Sequence, residues 1–393
     1  MSLTFGLSCP RTPLRRFLDQ EMSAEPKPLR EDFRARHADV PMLQPLPGVG
    51  TEASTVGTAI DQRLRLAFTA AHPVDLAIRI GVDTARQMGR GSRAGERMGA
   101  VGERLLERLV DVVHDLDLDN REEPMDCLWQ QEQHLARLLL AAAWYQVAAR
   151  SPFGFTYTPL YLAAAEDPKT FTLDRLLALP HQDLVDDVHA QLVLAAASPL
   201  AKARATTAPA QCTGGVLFAG TGITTDADLL ADGTLIEIKS TRHPRRFEQA
   251  TAWQILGYLL LDHADHHRID TVGLYLTRTA TLATWPIEHY LALLGARCRD
   301  LPRLRAAFAE LLAGCTADQE PIGQREERRV YRLLEHLATP APHGHCPVCA
   351  QAMPPAGAGH RAPYCADWCA RRAPGLQRRG WLPSPLPGLS IAA

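Results

Sequence analysis

Residues 214–240 read GGVLFAGTGITTDADLLADGTLIEIKS, and no other stretch restricts the fold of this chain as strongly. Short apolar runs alternate with glycine-bearing turns, and Ala231-Asp232-Gly233 lies between two of them, a pattern that favours a tight hairpin. Antiparallel strands are therefore expected near 216–219, 224–230 and 234–239, with more β structure at 271–277 and 281–285. Helical patterns flank this region. Leu105, Leu109, Val112 and Val113 recur at spacings of three and four within residues 54–150, where 126–150 is rich in alanine and leucine. Further helices are expected at 173–197, 246–261, 287–297, 301–313 and 324–337. The expected class is α/β, a mixed sheet flanked by helices.

At 393 residues the chain exceeds one typical domain. The expected division is a helix with an irregular connector (1–50), a helical region (51–210), an α/β core with its following helices (211–340), a cysteine module (341–375) and a tail (376–393). Prolines and glycines crowd residues 24–50, which is why they read as connector. The formal net charge of −2 argues against a surface coated in positive charge, so any nucleic-acid contact must be regional. The N-terminal apolar run is short and broken by arginines, unlike a secretion signal. No stretch reaches the roughly 20 apolar residues needed to cross a bilayer. A cytoplasmic protein is expected, with no membrane partner. The lack of a G-x-x-x-x-G-K-[ST] phosphate loop argues against an ATP-driven motor.

Glu237 and Lys239 are two apart on one strand and so share a face; the hairpin brings Asp228, expected at the end of the preceding strand, towards them. Two carboxylates offer hard oxygen ligands for Mg²⁺ or Mn²⁺, and a lysine beside them can position water or stabilise charge at a phosphate. E-x-K alone is frequent on exposed strands. The flanking Ile236 and Ile238, and an acid nine positions upstream across a hairpin, give it a setting. Asp226 is a rival to Asp228 on the same strand, further from the turn. Lys239, Arg242, Arg245 and Arg246, with His243 among them, can contact a phosphate backbone or form a solvated turn. Trp253 reads as core.

DADLLADGTLIEIKST followed by AWQILGYLL resembles the RecB-like branch of the PD-(D/E)XK (restriction-endonuclease-like) nuclease superfamily. The resemblance covers residues 214–285 and a patch at 55–66. It implies an active site of Asp228, Glu237 and Lys239, with Gln254 and Tyr258 as the Q-x-x-x-Y pair on a downstream helix. Gly57-Thr58-Ala59-Ile60-Asp61 resembles the family's upstream ligand helix, with Asp61 where histidine is common; Asp61 then joins Asp228 and Glu237 as a metal ligand. The implied activity is Mg²⁺- or Mn²⁺-dependent hydrolysis of DNA, with RNA left open as a substrate, in repair or phage defence. Two rivals remain: a nucleic-acid-binding or adaptor protein that has lost cleavage, and a nuclease subunit working with a helicase or defence partner.

Five of the nine cysteines are scattered, which is no disulfide framework. The other four, Cys346-x₂-Cys349 and Cys365-x₃-Cys369, have the paired spacing of a structural zinc finger. Some RecB-like nucleases instead hold an iron–sulfur cluster with one N-terminal cysteine, a part Cys9 would play. The downstream four are self-sufficient, so zinc is the expectation. Arg361, Arg371, Arg372, Arg378 and Arg379 surround the module and suit a finger facing DNA or RNA, with protein docking as the alternative.

Overall fold

The computed structural model describes residues 3–8, 12–23, 26–37, 40–88, 93–218, 223–313, 343–348, 351–353, 363–365, 369–370, 373–374 and 377. Three helices come first, α1 (Leu3–Ser8), α2 (Pro13–Glu21) and α3 (Lys27–His37). A larger set follows: α4 (Ala53–Phe68), α5 (Leu76–Met88), α6 (Arg93–Leu116), α7 (Trp129–Arg150), α8 (Pro152–Phe155), α9 (Pro159–Glu166), α10 (Leu173–Ala178), α11 (Gln182–Ala196) and α12 (Pro199–Thr206). The sheet strands are β1 (Cys212–Phe218), β2 (Thr225–Ala231), β3 (Thr234–Lys239), β4 (Thr271–Leu276) and β5 (Thr281–Pro286). Helix α13 (Gln249–Leu261) connects β3 to β4, and α14 (Ile287–Leu293) and α15 (Leu301–Ala313) follow β5.

The five strands lie in chain order. β1–β2, β2–β3 and β4–β5 are antiparallel, whereas β3 and β4 are parallel, which requires the crossover that α13 provides. The expected hairpin is present. Asp232 (φ 44°) and Gly233 (φ 75°) both take left-handed backbone between the paired Ala231 and Thr234, the type I′ geometry that matches strand twist.

Alternation along the strands feeds two separate cores. Leu229, Ala231, Ile236, Ile238 and Tyr275 pack with α4–α7 and α11, while Leu230, Leu235, Val272, Leu274 and Leu276 pack with α1–α3 and α13–α15. The sheet is thus covered by helices on both sides. Helix α7 lies inside the first layer: Leu138–Ala143, Trp144 and Tyr145 are all buried, so it is apolar around most of its circumference. Its one buried acid, Glu132, is paired with Arg63 of α4 at 2.5 Å.

Several expectations need correction. The supposed connector at 24–50 contains α3, because Pro28 falls in a first helical turn, where no backbone N–H is needed. Helix α3 is docked on β5, with Trp285 Nε1 donating to Asp32 Oδ2 at 2.7 Å. The helix foreseen at 173–197 is split at Pro180 into α10 and α11. Helix α13 starts at Gln249 rather than 246, after a turn closed by Arg246 N–H to the His243 carbonyl at 3.0 Å. Helix α14 stops at Leu293, short of the expected 297. The helix expected at 324–337 lies outside the described residues. Among the described residues no helix is long and apolar enough to cross a membrane.

Candidate active site

The site forms where the sheet ladder is interrupted. Pairing of β2 with β3 runs from Ala231↔Thr234 to Leu229↔Ile236 and ends there. Beyond that point the Ile238 N–H is accepted by the Asp228 carboxylate (Oδ2, 2.7 Å), so a side chain replaces the missing backbone acceptor. On the other side of β2, Gly214 pairs with Leu229 and Val216 with Ala227, and the intervening Gly215 is left-handed at φ 63°. Leu229 faces one core and Ala227 the other, so inward and outward sides exchange at Asp228. Asp228 therefore lies mid-strand, correcting the expectation of a strand end, at the kind of local irregularity that re-aims a side chain. Asp226 is half-exposed and lies 3.7 Å from Arg150, and its charge adds to the raising of Asp228.

Glu237 and Lys239 share the sheet face that also carries Leu274 and Leu276. Glu237 is 2% exposed. Neither carboxylate oxygen has a well-directed hydrogen bond, yet Lys239 Nζ lies 2.5 Å from Oε1. Helix α13 covers this face: Gln254 Nε2 donates to the Tyr258 hydroxyl at 2.5 Å, and the Tyr258 ring stacks on Phe218 with centroids 5.6 Å apart. Tyr258 also helps to hold Glu237 ionised through its hydroxyl. The sequence-derived pair Gln254 and Tyr258 is thus brought to the acid–lysine pair. Trp253 is buried beneath Arg15, whose guanidinium carbon lies 4.5 Å from the ring centroid, so the core reading of Trp253 holds.

Asp61 on α4 completes the acidic cluster, with Arg65 one turn later. Arg65 Nη2 is 3.0 Å from Asp61 and 2.8 Å from Asp75, and Arg65 makes a forked contact with Asp75. Asp61 Oδ1 is buried without a donor. Gly215 makes this network possible: a Cβ there would come within 2.9 Å of Arg65 Nη1 and 3.2 Å of Asp75 Oδ1, in a backbone conformation that disfavours any side chain. Sequence reasoning missed Arg65 and Asp75. The i, i+4 spacing of Asp61 and Arg65 was the available signal.

Burial dominates the electrostatics. It pushes Asp61 well above the usual carboxylate range; Arg65 opposes this, and the charges of Asp228, Asp75 and Glu237 add to it. Asp228 is raised by burial against the pull of Lys239 and Arg65. Glu237 is raised to about 7, by burial and then by Asp228, with Lys239 opposing. Burial alone would lower Lys239, but Glu237 and Asp228 outweigh it and the ammonium is held more firmly than usual. If ionised, Asp61, Asp75, Asp228 and Glu237 set four negative charges against the two positive charges of Arg65 and Lys239. The shortfall equals the charge of one divalent cation.

A pH dependence follows. Glu237 is raised from an ordinary 4.5 to about 7, so between those values the unfolded chain has lost a proton that the folded chain keeps. Without added metal, stability should therefore be fully present below pH 4.5 and fall as pH rises towards 7, by up to about 3 kcal/mol from this group. Urea unfolding at pH 5 to 8 checks this. Glu237→Gln should flatten the slope; an unchanged slope would remove Glu237 from the account.

The strand ends beside Lys239 are held by buried polar groups. Asp187 and Arg278 are paired at 2.8 Å, and Asp187 Oδ2 also accepts from Gln191 Nε2 at 2.8 Å. Gln191 Oε1 accepts from Ser240 Oγ at 2.8 Å and from the Thr277 hydroxyl, the residues directly after β3 and β4. Arg242, His243, Arg245 and Arg246 are exposed in the adjoining turn.

Near the C-terminus, the sulfurs of Cys346, Cys365 and Cys369 lie within 4.8 Å of one another and can hold a metal ion. Among the described residues the carboxylates of Asp61, Asp228 and Glu237 make no such three-donor group; Lys239 and Arg65 occupy the space against them. Cys346 sits in a small hairpin, its N–H donating to the Gln351 carbonyl at 2.8 Å and Met353 N–H to the Gly344 carbonyl at 2.9 Å. Cys349, Cys9 and Arg361, Arg371, Arg372, Arg378 and Arg379 lie outside the described residues. No protein-family model matches this chain, and comparison with curated proteins and with solved structures likewise finds no match.

Proposed function

We propose that this chain is a divalent-metal-dependent nuclease of the PD-(D/E)XK type that hydrolyses DNA phosphodiesters. One observation carries the reading. Acids with buried, unsatisfied oxygens, which when all ionised would be two positive charges short of balance, meet a lysine at a break in a mixed sheet. Unpartnered buried carboxylate oxygens are costly, and a cation is the ordinary remedy.

Asp228 and Glu237 would hold Mg²⁺ or Mn²⁺, with Asp61 as a further ligand once released from Arg65; such ions keep several waters, so two or three carboxylates suffice. The bound ion would polarise the phosphate and make a bound water more acidic. Lys239, freed from Glu237, would orient the attacking water and stabilise charge on the phosphate. Tyr258, anchored by Gln254, would keep Glu237 ionised. The exposed Arg242, Arg245 and Arg246 supply backbone contacts that carry affinity without sequence preference.

The cysteine cluster suits structural zinc. Two sulfurs on a tetrahedral zinc, each bonded at about 2.3 Å, stand about 3.8 Å apart, and Cys365 and Cys369 are 3.7 Å apart. The fourth ligand would be Cys349.

The test is incubation of the purified chain with linear and circular DNA, with and without Mg²⁺ or Mn²⁺. Cleavage that requires the cation is expected, and opening of the circle would mark an endonuclease. No cleavage under any cation, with intact binding, would favour the adaptor reading. Elemental analysis should find one zinc per chain, reduced to a trace in Cys346→Ser; iron with acid-labile sulfide would displace the zinc assignment.

A further inference from the structure

The end of α7 next to the site carries an aromatic feature that the nuclease reading does not use. Arg150, the last residue of α7, reaches Asp226 of β2 at 3.7 Å, two residues before Asp228. Arg150 is exposed and Asp226 half-exposed, so the pair is weak and readily exchanged for another anion. Three residues on, a stretch of at most about 11 Å, stands Phe153, at 76% the most exposed large apolar side chain among the described residues. Tyr157, 68% exposed, meets it edge to face with ring centroids 5.5 Å apart. Leu217, paired with Asp226 across the β1–β2 ladder, is exposed as well.

These rings are held outward by structure beneath them. Phe155, between them in sequence, is fully buried and packs on Tyr161 with centroids 5.6 Å apart. The Ser151 hydroxyl accepts from Gly154 N–H at 3.2 Å, and the Thr158 hydroxyl accepts from Tyr161 N–H at 3.3 Å, fixing the turn at both ends. A mount that buries one aromatic and exposes two others, three residues past a cation, matches what unpaired bases need. Their faces stack on rings while their backbone follows positive charge. Base pairs in a duplex leave no face free to stack this way.

We propose that Phe153 and Tyr157 form a stacking platform, with Arg150 as its phosphate contact, that selects single-stranded over duplex nucleic acid. The proposal rests on the nuclease reading for its purpose but is tested apart from it. Binding of a fluorescein-labelled oligothymidylate and of a duplex of the same length would be measured by anisotropy in buffer free of Mg²⁺ and Mn²⁺. The variants are Phe153→Ala, Tyr157→Ala, the double variant and Phe153→Leu.

Single-strand affinity should fall about tenfold for each ring lost, with duplex affinity unchanged. Phe153→Leu should behave like Phe153→Ala, since it keeps apolar surface but loses the ring. Retained affinity in the double variant, equal loss on both nucleic acids, full single-strand affinity of the leucine variant, or no single-strand binding by the wild type would each overturn the platform. Mn²⁺-dependent hydrolysis of bis(p-nitrophenyl) phosphate, which presents no nucleobase, should be equal in wild type and double variant. If the wild type hydrolyses nothing, the nuclease reading fails, while the anisotropy result still decides the platform.

Discussion

Lys239→Ala is expected to lower Mn²⁺-dependent DNA cleavage by on the order of a thousandfold while leaving the fold intact, because a single well-placed charge or proton-transfer group supplies about 10²–10⁴ in rate. The variant makes a second statement that is independent of turnover. Lys239 is the cation lying against Glu237 at 2.5 Å, so its removal leaves a carboxylate that is 2% exposed without its nearest counter-charge. The metal-free variant should therefore unfold at lower urea concentration than wild type, and Mn²⁺ should restore more stability to the variant than to wild type. Denaturant curves with and without Mn²⁺ would read this directly. Undiminished cleavage would remove Lys239 from the mechanism, and equal Mn²⁺ stabilisation in both proteins would remove Glu237 as a ligand.

Asp187→Ala is expected to cost about 3–5 kcal/mol, the largest effect on stability among the changes considered, since it leaves Arg278 buried and unpaired. The aspartate serves more than the arginine: it also accepts from Leu46 N–H at 3.2 Å and from Gln191. Gln191 in turn holds Ser240 and Thr277, so the ends of β3 and β4 should loosen with it. Hydrogen exchange should quicken at residues 238–240 and 276–278 as well as on α11. Replacing both partners, Asp187→Leu with Arg278→Met, should recover much of the loss because neither charge is then stranded. If the double variant is no more stable than Asp187→Ala alone, the cost lies in packing rather than in an uncompensated charge.

The parts of this architecture that sequence made legible depend on local chemistry. Asp232-Gly233 declares its turn because both positions need left-handed backbone, and the strands on either side inherit their register from it. Gln254 and Tyr258 declare a shared helix face by their spacing. What escaped was set by distant contacts. Nothing in DADLLADG shows that β2 joins β3 only from Leu229 onward, or that Gly215 in the neighbouring strand makes room for Arg65 on a helix 150 residues earlier. Asp61 was read from its motif, but its pairing with Arg65 was not, because salt-bridge partners on a helix compete with ligands and the sequence does not say which wins. Helix α3 was hidden by Pro28, which breaks a helix interior but begins one without cost.

The placement of α1 gives the amino-terminal segment more influence than its distance in sequence suggests. Leu3 presses on Gly257 so closely that a Cβ there would come within 2.7 Å of Leu3 Cδ1, and Gly257 immediately precedes Tyr258. The opening residues thus act as a lagging over the helix that roofs the acids. Stripping them away would admit water behind Tyr258, ease the burden on Glu237, and let its proton leave at lower pH, although no amino-terminal side chain need ever touch a phosphate.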